Sequence, residues 1–207
     1  MLKILGRSSS INVRKVLCTC DELDLTYAQE AYGSGFAPTN TPEFKALNPN
    51  ALVPVLIDDA FVLWESNAIC RYLAAREQRT DLLPADVRER ALVEQWMDWQ
   101  ATELNAAWRY VFMARVRRSA AHADPAAIET SIAAWNAAMG IVDARLARTG
   151  AYVAGATFTL ADVVIGLSTH RFLLTPMQRA RLPALEAYYA RLRERPAFRR
   201  NAPDDVP

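Results

Sequence analysis

Asn48-Pro49-Asn50-Ala51-Leu52-Val53-Pro54-Val55-Leu56, followed by Trp64-Glu65-Ser66-Asn67-Ala68-Ile69, is the stretch on which the reading of this chain turns. Val53 to Ile57 and Phe61 to Trp64 are rich in β-branched, aliphatic and aromatic residues. They flank the polar Asp58-Asp59-Ala60, a pattern that predicts an antiparallel hairpin with a short turn. A proline that opens a strand with further strand beside it gives up a ladder donor and needs a structural reason. A cis Val53–Pro54 bond is one such reason, and an ordinary trans proline at a strand start is the other reading. After the hairpin, Ile69, Tyr72 and Leu73 recur at helical spacing and predict a helix that carries them inward from a start near Ser66. Free N–H groups and the dipole at that start favour a bound carboxylate on Ser66, with Glu65 beside it to pair an ammonium. The alternative is that Ser66 merely caps the helix and Glu65 complements its dipole.

Working outward, Leu2 to Leu5 reads as a strand, and Val13, Val16, Leu17 and Cys20 follow at helical spacing. Leu25 to Glu30 forms a second strand. Thr41-Pro42-Glu43 supplies an N-cap, a proline at the first helical position and an acid in the first turn, opening a short helix that ends near Asn48-Pro49. The order strand, helix, strand, helix, strand, strand, helix describes an α/β layer with a mixed sheet. From Arg79 to Val87 the segment RTDLLPADV loses all period and reads as a linker, which divides the chain into 1–78, 79–87 and 88–207.

Everything after the linker reads as helix. A long segment from about Arg88 to Arg117 presents Leu92, Trp96, Trp99, Glu103 and Ala106 or Ala107 on one face. Ile128, Ile132, Trp135, Met139, Val142 and Leu146 alternate in steps of four and three, as the seam of a helix bundle requires. Thr159-Leu160-Ala161-Asp162 has capping-box spacing and opens a helix apolar nearly all round, which predicts a central, buried element. A last helix starts at Pro183 and holds Leu185, Tyr188, Tyr189 and Leu192 inward, with Arg191, Arg193 and Arg195 expected to face water.

Composition narrows the function. The 207 residues are 52% hydrophobic and 23% charged with a net charge of +1, the balance of a globular protein without a polyanion partner, so no nucleic-acid binding is expected. MLKILGRSSS lacks the apolar run of a signal peptide, and the most apolar stretch, Leu160 to Leu174, is broken by Asp162, His170 and Arg171; a cytoplasmic protein without a membrane span is expected. Cys18, Cys20 and Cys70 contain no C-x-x-C pair and encode neither a disulfide framework nor a dithiol centre. Cys18 and Cys20 read as packed residues of the first helix. With only His122 and His170 besides, no metal site is expected.

The run N-P-x-x-x-V-P at Asn48 to Pro54, with E-S-x-A-I at Glu65 to Ile69, resembles the cytosolic glutathione transferase family, in its serine-type, theta-like bacterial form. The T-x-x-D cap at Thr159 and the closing P-x-L and R-P-A-F runs are similar to that family too, so the resemblance spans essentially the whole chain. It implies a thioredoxin-like α/β domain followed by an all-α domain, glutathione as cosubstrate, no metal, and a homodimer. It further implies that the Val53 backbone, presented by a cis Pro54, holds the cysteinyl part of glutathione, and that Glu65 and Ser66 hold its γ-glutamyl ends. Serine-dependent members commonly read S-x-P-x-R after the first strand. Ser10-Ile11-Asn12-Val13-Arg14 matches with asparagine in place of proline, which makes Ser10 the candidate for stabilising the thiolate, with Ser9, Ser8 and Asn12 as neighbours of the same turn. Leu52 replaces a lysine or glutamine common before V-P and offers glutathione only its backbone. Trp108, Arg109 and Phe112 lie on the helix that faces the cleft in this family, where Arg109 is placed to polarise an electrophile or to stay solvated. The implied reaction is attack of the glutathione thiolate on a small hydrophobic or halogenated electrophile. A glutathione-dependent isomerase, near whose R-S-S-C-S signature the run Arg7-Ser8-Ser9-Ser10 falls without the cysteine, and a catalytically silent binding module are the competing readings.

Overall fold

The structure, a computed structural model, describes residues 1–204. Strands β1 (Leu2–Leu5), β2 (Tyr27–Glu30), β3 (Val55–Asp58) and β4 (Phe61–Trp64) form one sheet in the order β2-β1-β3-β4. β1 and β2 run parallel, and the other two pairings are antiparallel. A parallel pair needs a crossover, and α1 (Ile11–Glu22) supplies it. α2 (Pro42–Leu47) starts where Thr41 Oγ1 accepts from Phe44 N at 3.2 Å, and α3 (Ser66–Arg76) follows β4 directly.

Two strands start later than expected. β2 begins at Tyr27 rather than Leu25, and β3 at Val55 rather than Val53, because a pairing partner is met only there: Tyr27 faces Leu2, and Val55 faces both Leu5 and Trp64. Pro54 therefore stands just outside the ladder and forfeits no strand hydrogen bond. The Val53–Pro54 bond is cis.

Residues 79–86 lead from this layer to the helices without becoming loose: Leu82 and Leu83 are buried, and the Leu82 carbonyl accepts from Leu160 N at 3.0 Å. The helices are α4 (Val87–Trp99), α5 (Asn105–Arg115), α6 (Pro125–Thr149), α7 (Leu160–Leu174), α8 (Pro183–Arg193) and α9 (Pro196–Asn201). The single long helix expected over 88–117 is divided by a π-helical turn at Gln100–Leu104. Its buried stripe is Val93, Met97, Gln100 and Leu104, one residue along from the stripe predicted, while Leu92 and Glu103 are exposed. The bulky Leu92, Trp96 and Trp99 misled the pattern reading: Trp96 and Trp99 are only half-buried and pack edge to face at 5.4 Å, and the extra residue of the π turn shifts the register that follows.

α6 buries Ile132, Trp135, Met139, Val142 and Leu146 as the heptad-like spacing requires. α7 is buried from Leu160 to Phe172 and packs against α1, α4 and α8, the central position expected. Asp162 locks its start, taking Thr159 N at 2.9 Å on one oxygen, and Val153 N at 2.9 Å and the Tyr188 hydroxyl at 3.0 Å on the other. The arginines at the end of α8 and just beyond it do not simply face water. Arg195 grips the nearly buried Glu22 carboxylate through two N–H donors, at 2.9 and 2.6 Å. Arg191 donates to the Ala151 carbonyl at 2.5 Å, and Arg193 to the Ala202 carbonyl and Asp204. They were misread because the partners come from α1, from the loop after α6 and from the chain after α9, none of which helical spacing reveals.

Candidate active site

The strand register gathers three chain segments at one edge of the sheet. Leu5 pairs with Val55 and Val55 with Trp64, so the end of β1, the start of β3 and the end of β4 lie side by side. From that edge the chain continues as Gly6 to Ser10 into α1, arrives through Leu52-Val53-Pro54 into β3, and leaves through Glu65-Ser66 into α3. Gly6 lets these segments close up: at φ +151° it has no side chain where a Cβ would stand 2.5 Å from Val13 Cγ2 and 3.1 Å from Val53 Cβ. Nothing in the sequence pattern had marked it.

Glu65 adopts φ 73° and ψ 110°, a conformation that costs a non-glycine residue about 1–3 kcal/mol. Strain of this kind is retained where the surroundings impose it. Glu65 occupies the N-cap position of α3 yet makes no capping bond with its side chain, which stays exposed, whereas Ser66 is buried as the first helical residue. The capping alternative for Ser66 is thereby corrected: the cap position is Glu65, and its carboxylate makes no capping hydrogen bond.

The three serines after β1 are equally separable. Ser8 Oγ accepts from Gln29 Nε2 at 3.1 Å and Ser9 Oγ accepts from Arg7 Nε at 3.1 Å. Ser10 is the N-cap of α1 in extended conformation, φ −89° and ψ 124°, but its side chain makes no capping hydrogen bond. Ser10 is among the residues that line a cleft of about 370 Å³ between the start of α1 and α5, with Asn12 from α1 and Trp108, Arg109 and Phe112 from α5. The structure thus brings together five of the sequence-predicted site residues. Val53, Pro54, Glu65 and Ser66 do not line this cleft; they occupy the adjoining sheet edge, to which it is joined through Leu52. The Leu52 carbonyl is already engaged, accepting from Asn48 Nδ2 at 2.8 Å.

A buried polar chain that the sequence reading did not find stands behind the cleft. Lys15 on α1 is 1% exposed, and its Nζ donates to Gln100 Oε1 at 2.5 Å and Asn67 Oδ1 at 3.4 Å. Gln100 Nε2 donates to Asn105 Oδ1 at 2.9 Å, and the same oxygen takes the Trp108 indole N–H at 3.0 Å. Burial pushes the Lys15 ammonium down to about 8. The available signal was Gln100, a polar residue in an otherwise apolar helix stripe.

A larger hollow, of about 530 Å³, lies at the other end of α1 between Asp21, Glu22 and α8–α9. Two ion pairs cross it, Arg195 with Glu22 at 2.6 Å and Arg200 with Asp21 at 3.1 Å. The cysteines are not nucleophiles of any site: all three are buried and unbridged, and burial pushes Cys18 and Cys20 well up and Cys70 to about 11. Among the described residues no group of three or more His, Cys, Asp or Glu is placed to hold a metal ion, and no helix is long and apolar enough to cross a membrane.

Residues 1–75 match the family model "Glutathione S-transferase, N-terminal domain" and residues 125–191 match "Glutathione S-transferase, C-terminal domain". The chain is 38% identical over 202 residues to glutathione S-transferase GstB of Escherichia coli strain K12, covering 97% of each chain. It is 32% identical over 206 residues to glutathione S-transferase 3 of Zea mays, covering 96% of this chain and 92% of the relative. Among solved structures, the theta class glutathione S-transferase of Xanthomonas axonopodis pv. citri with glutathione bound superposes with a TM-score of 0.93 at 39% identity, covering 100% of this chain and 99% of that one.

Proposed function

The chain belongs to the glutathione S-transferase family, and on that premise we propose that it joins the sulfur of glutathione to a small hydrophobic or halogenated electrophile at the sheet edge and cleft around Ser10. The observation that carries the reading is Ser10, which stands at the N-terminus of a helix with no capping bond from its side chain and lines the cleft.

In this reading the sulfur lies at the start of α1, where Ser10 donates its hydroxyl hydrogen to the thiolate and the unpaired N–H groups of the first turn, with Asn12, add positive potential. A hydrogen bond to a charged group contributes about 1.5–3 kcal/mol, and a fall of two units in the thiol pKa requires about 2.7 kcal/mol, so the two magnitudes match. The Val53 main chain, just before Pro54 at the sheet edge, hydrogen-bonds the cysteinyl portion. Glu65 pairs the γ-glutamyl ammonium, and Ser66 with the first N–H groups of α3 holds the carboxylate beside it. The acceptor packs on Trp108 and Phe112, with Arg109 close enough to polarise it. The exposed aromatic and aliphatic residues of β4 and α4, Phe61, Trp64 and Leu92, supply an apolar face for a homodimer in the cytoplasm.

Titration calorimetry tests the assignment of the glutathione ends. Glu65→Ala and Ser66→Ala are each expected to weaken glutathione binding by about 1.5–3 kcal/mol. Unchanged affinity in both variants would place the ligand elsewhere.

A further inference from the structure

The cleft beside Ser10 is strongly cationic. Arg7, Arg109, Arg117 and Arg171 all line it, and no acidic side chain among the described residues does. Three of these occupy ordinary rim positions, but Arg171 does not: it projects from the buried α7, is 3% exposed, and lies over the rings of Trp108 and Phe112, 4.6 and 4.1 Å from their centroids. Its Nε is buried with no hydrogen-bond partner among the described residues. Arg117 stands 5.3 Å from the centroid of the same Phe112 ring.

Two guanidiniums on one aromatic ring, one of them without a hydrogen-bonded anion, is an arrangement that the folded chain alone does not reward, because burying a charge is costly unless it is paired. The surroundings act in the same sense: burial first, then Arg117 and Arg14, push the Arg171 guanidinium down to about 9, and burial and then Arg7 lower that of Arg117. In the hollow at the other end of α1, Arg195 and Arg200 have Glu22 and Asp21 against them and Arg191 donates to the Ala151 carbonyl, so an arginine cluster without an acid is not a general habit of this arginine-rich chain.

We infer that this cleft is built to hold an electrophile bearing a carboxylate, which Arg171, with Arg117 at the rim, binds while the electrophilic carbon faces the sulfur at Ser10. The inference rests on the transferase reading above and narrows its acceptor class. A planar guanidinium held by two rings offers a carboxylate parallel N–H donors, a geometry an ammonium does not supply. The site is distinct from the proposed seat of the γ-glutamyl carboxylate, because Arg171 and Arg117 belong to the helical wall whereas Ser66 opens α3 at the sheet edge. For an α-halocarboxylate the step is a displacement. The thiol proton passes to solvent, the thiolate forms a carbon–sulfur bond, the carbon–halogen bond breaks with its electron pair leaving as halide, and the carboxylate is carried unchanged into the thioether.

Iodoacetate and iodoacetamide test this directly, since they are similar in size and leaving group and differ in charge. The catalysed kcat/KM, divided by the uncatalysed rate constant with glutathione, is expected to be about tenfold or more higher for iodoacetate, the effect of about 1.4 kcal/mol of added binding. Arg171→Met keeps an apolar stem on the two rings, and is expected to erase that preference by raising KM for iodoacetate while KM for glutathione holds. A measurement free of any variant accompanies it: by calorimetry on the wild-type protein, S-carboxymethylglutathione should bind at least about tenfold tighter than S-carbamoylmethylglutathione. Equal acceleration of both halides, equal affinity for both thioethers, or a rise in KM for glutathione in Arg171→Met overturns the anion site and leaves the transferase standing. Glutathione bound but neither halide accelerated has the same meaning. Failure to bind glutathione at all overturns the transferase reading itself, and the acceptor site with it.

Discussion

Substituting Ser10 by alanine separates the chemical role of this residue from a structural one. An N-cap serine that serves its helix contributes about 1 kcal/mol through a bond to the N–H of the second or third helical residue. Ser10 holds the cap position and the extended backbone of a cap but makes no such bond, so Ser10→Ala is expected to cost well under about 1 kcal/mol in urea unfolding. Its effect on bound glutathione should be larger. Loss of one hydrogen bond to a charged sulfur, about 1.5–3 kcal/mol, raises the thiol pKa by about one to two units, since each unit corresponds to about 1.36 kcal/mol. Turnover at neutral pH should fall about tenfold or more with little change in glutathione affinity. The assay is thiolate absorbance of the binary complex followed against pH, with Ser9→Ala and Ser8→Ala alongside. Those two hydroxyls are already engaged with Arg7 and Gln29, and neither substitution should move the curve. A wild-type titration in Ser10→Ala refutes the reasoning: with a shift in Ser9→Ala the role moves one residue, and with no shift in any variant it passes to Asn12 or to the helix N–H groups.

Lys15 gives a pH-dependent stability. Its folded value of about 8 lies below the unfolded value of about 10.4, so between these limits the unfolded chain holds a proton that the folded one has released, and stability rises with pH across that window. The unfolding free energy of the wild type minus that of Lys15→Met should climb by up to about 3 kcal/mol from pH 7 to pH 10.4, and a flat difference in urea melts contradicts the burial assignment. At Asp162 both carboxylate oxygens accept from backbone N–H groups, so the amide of Asp162→Asn must turn its own N–H toward one of them; a loss of about 1.5–3 kcal/mol is expected, and an unchanged melting temperature would show the site to be tolerant. Gly6→Ala places a Cβ against Val13 and Val53 at a backbone angle reserved for glycine, so it should destabilise by at least about 1–3 kcal/mol and weaken glutathione binding together, as denaturation and calorimetry would report.

What could be read from the sequence was whatever a local pattern encodes. The strand and helix order of the first half, the Thr41 start of α2, the seam of α6 and the Asp162 start of α7 depend on neighbours within a few residues, and all appear where the pattern put them. The candidate site was legible to the same extent: Ser10, Asn12, Trp108, Arg109 and Phe112 do meet at one cleft. Features set by distant partners were not legible. The half-buried Trp96 and Trp99 mark a face of α4 beside its buried stripe, the π turn at Gln100 follows no local preference, and Lys15 sits in α1 as an ordinary solvated lysine would until Asn67 and Gln100 close over it. Arg171 had left a trace, as a charge interrupting the most apolar stretch of the chain, but only the packing of α5 against α7 turns that interruption into a wall of the cleft.

The position of α1 explains how one helix serves both reactants. Its N-terminal turn brings Ser10 and Asn12 to the cleft, and one turn further along the helix Lys15 is buried where it meets Gln100. Gln100 in turn shares Asn105 with the Trp108 indole, so the ring that forms the acceptor wall is held through three hydrogen-bonded links to the helix that carries the proposed thiolate donor. A π turn suits this arrangement, because the extra residue lets Gln100 face α1 while Trp108 and Phe112 still face the cleft. The cost is a buried ammonium with neutral partners, which a purely structural contact would have avoided with an apolar residue of similar volume. Retaining it is reasonable where the distance between thiol seat and acceptor wall matters more than stability, since a displacement of about 1 Å in a reacting geometry lowers rate by about a hundredfold. The two quantities therefore separate in Lys15→Met: above the titration range the variant loses stability relative to the wild type, while at neutral pH, where removal of the charge offsets the lost bonds, its defect should appear in turnover rather than in folding.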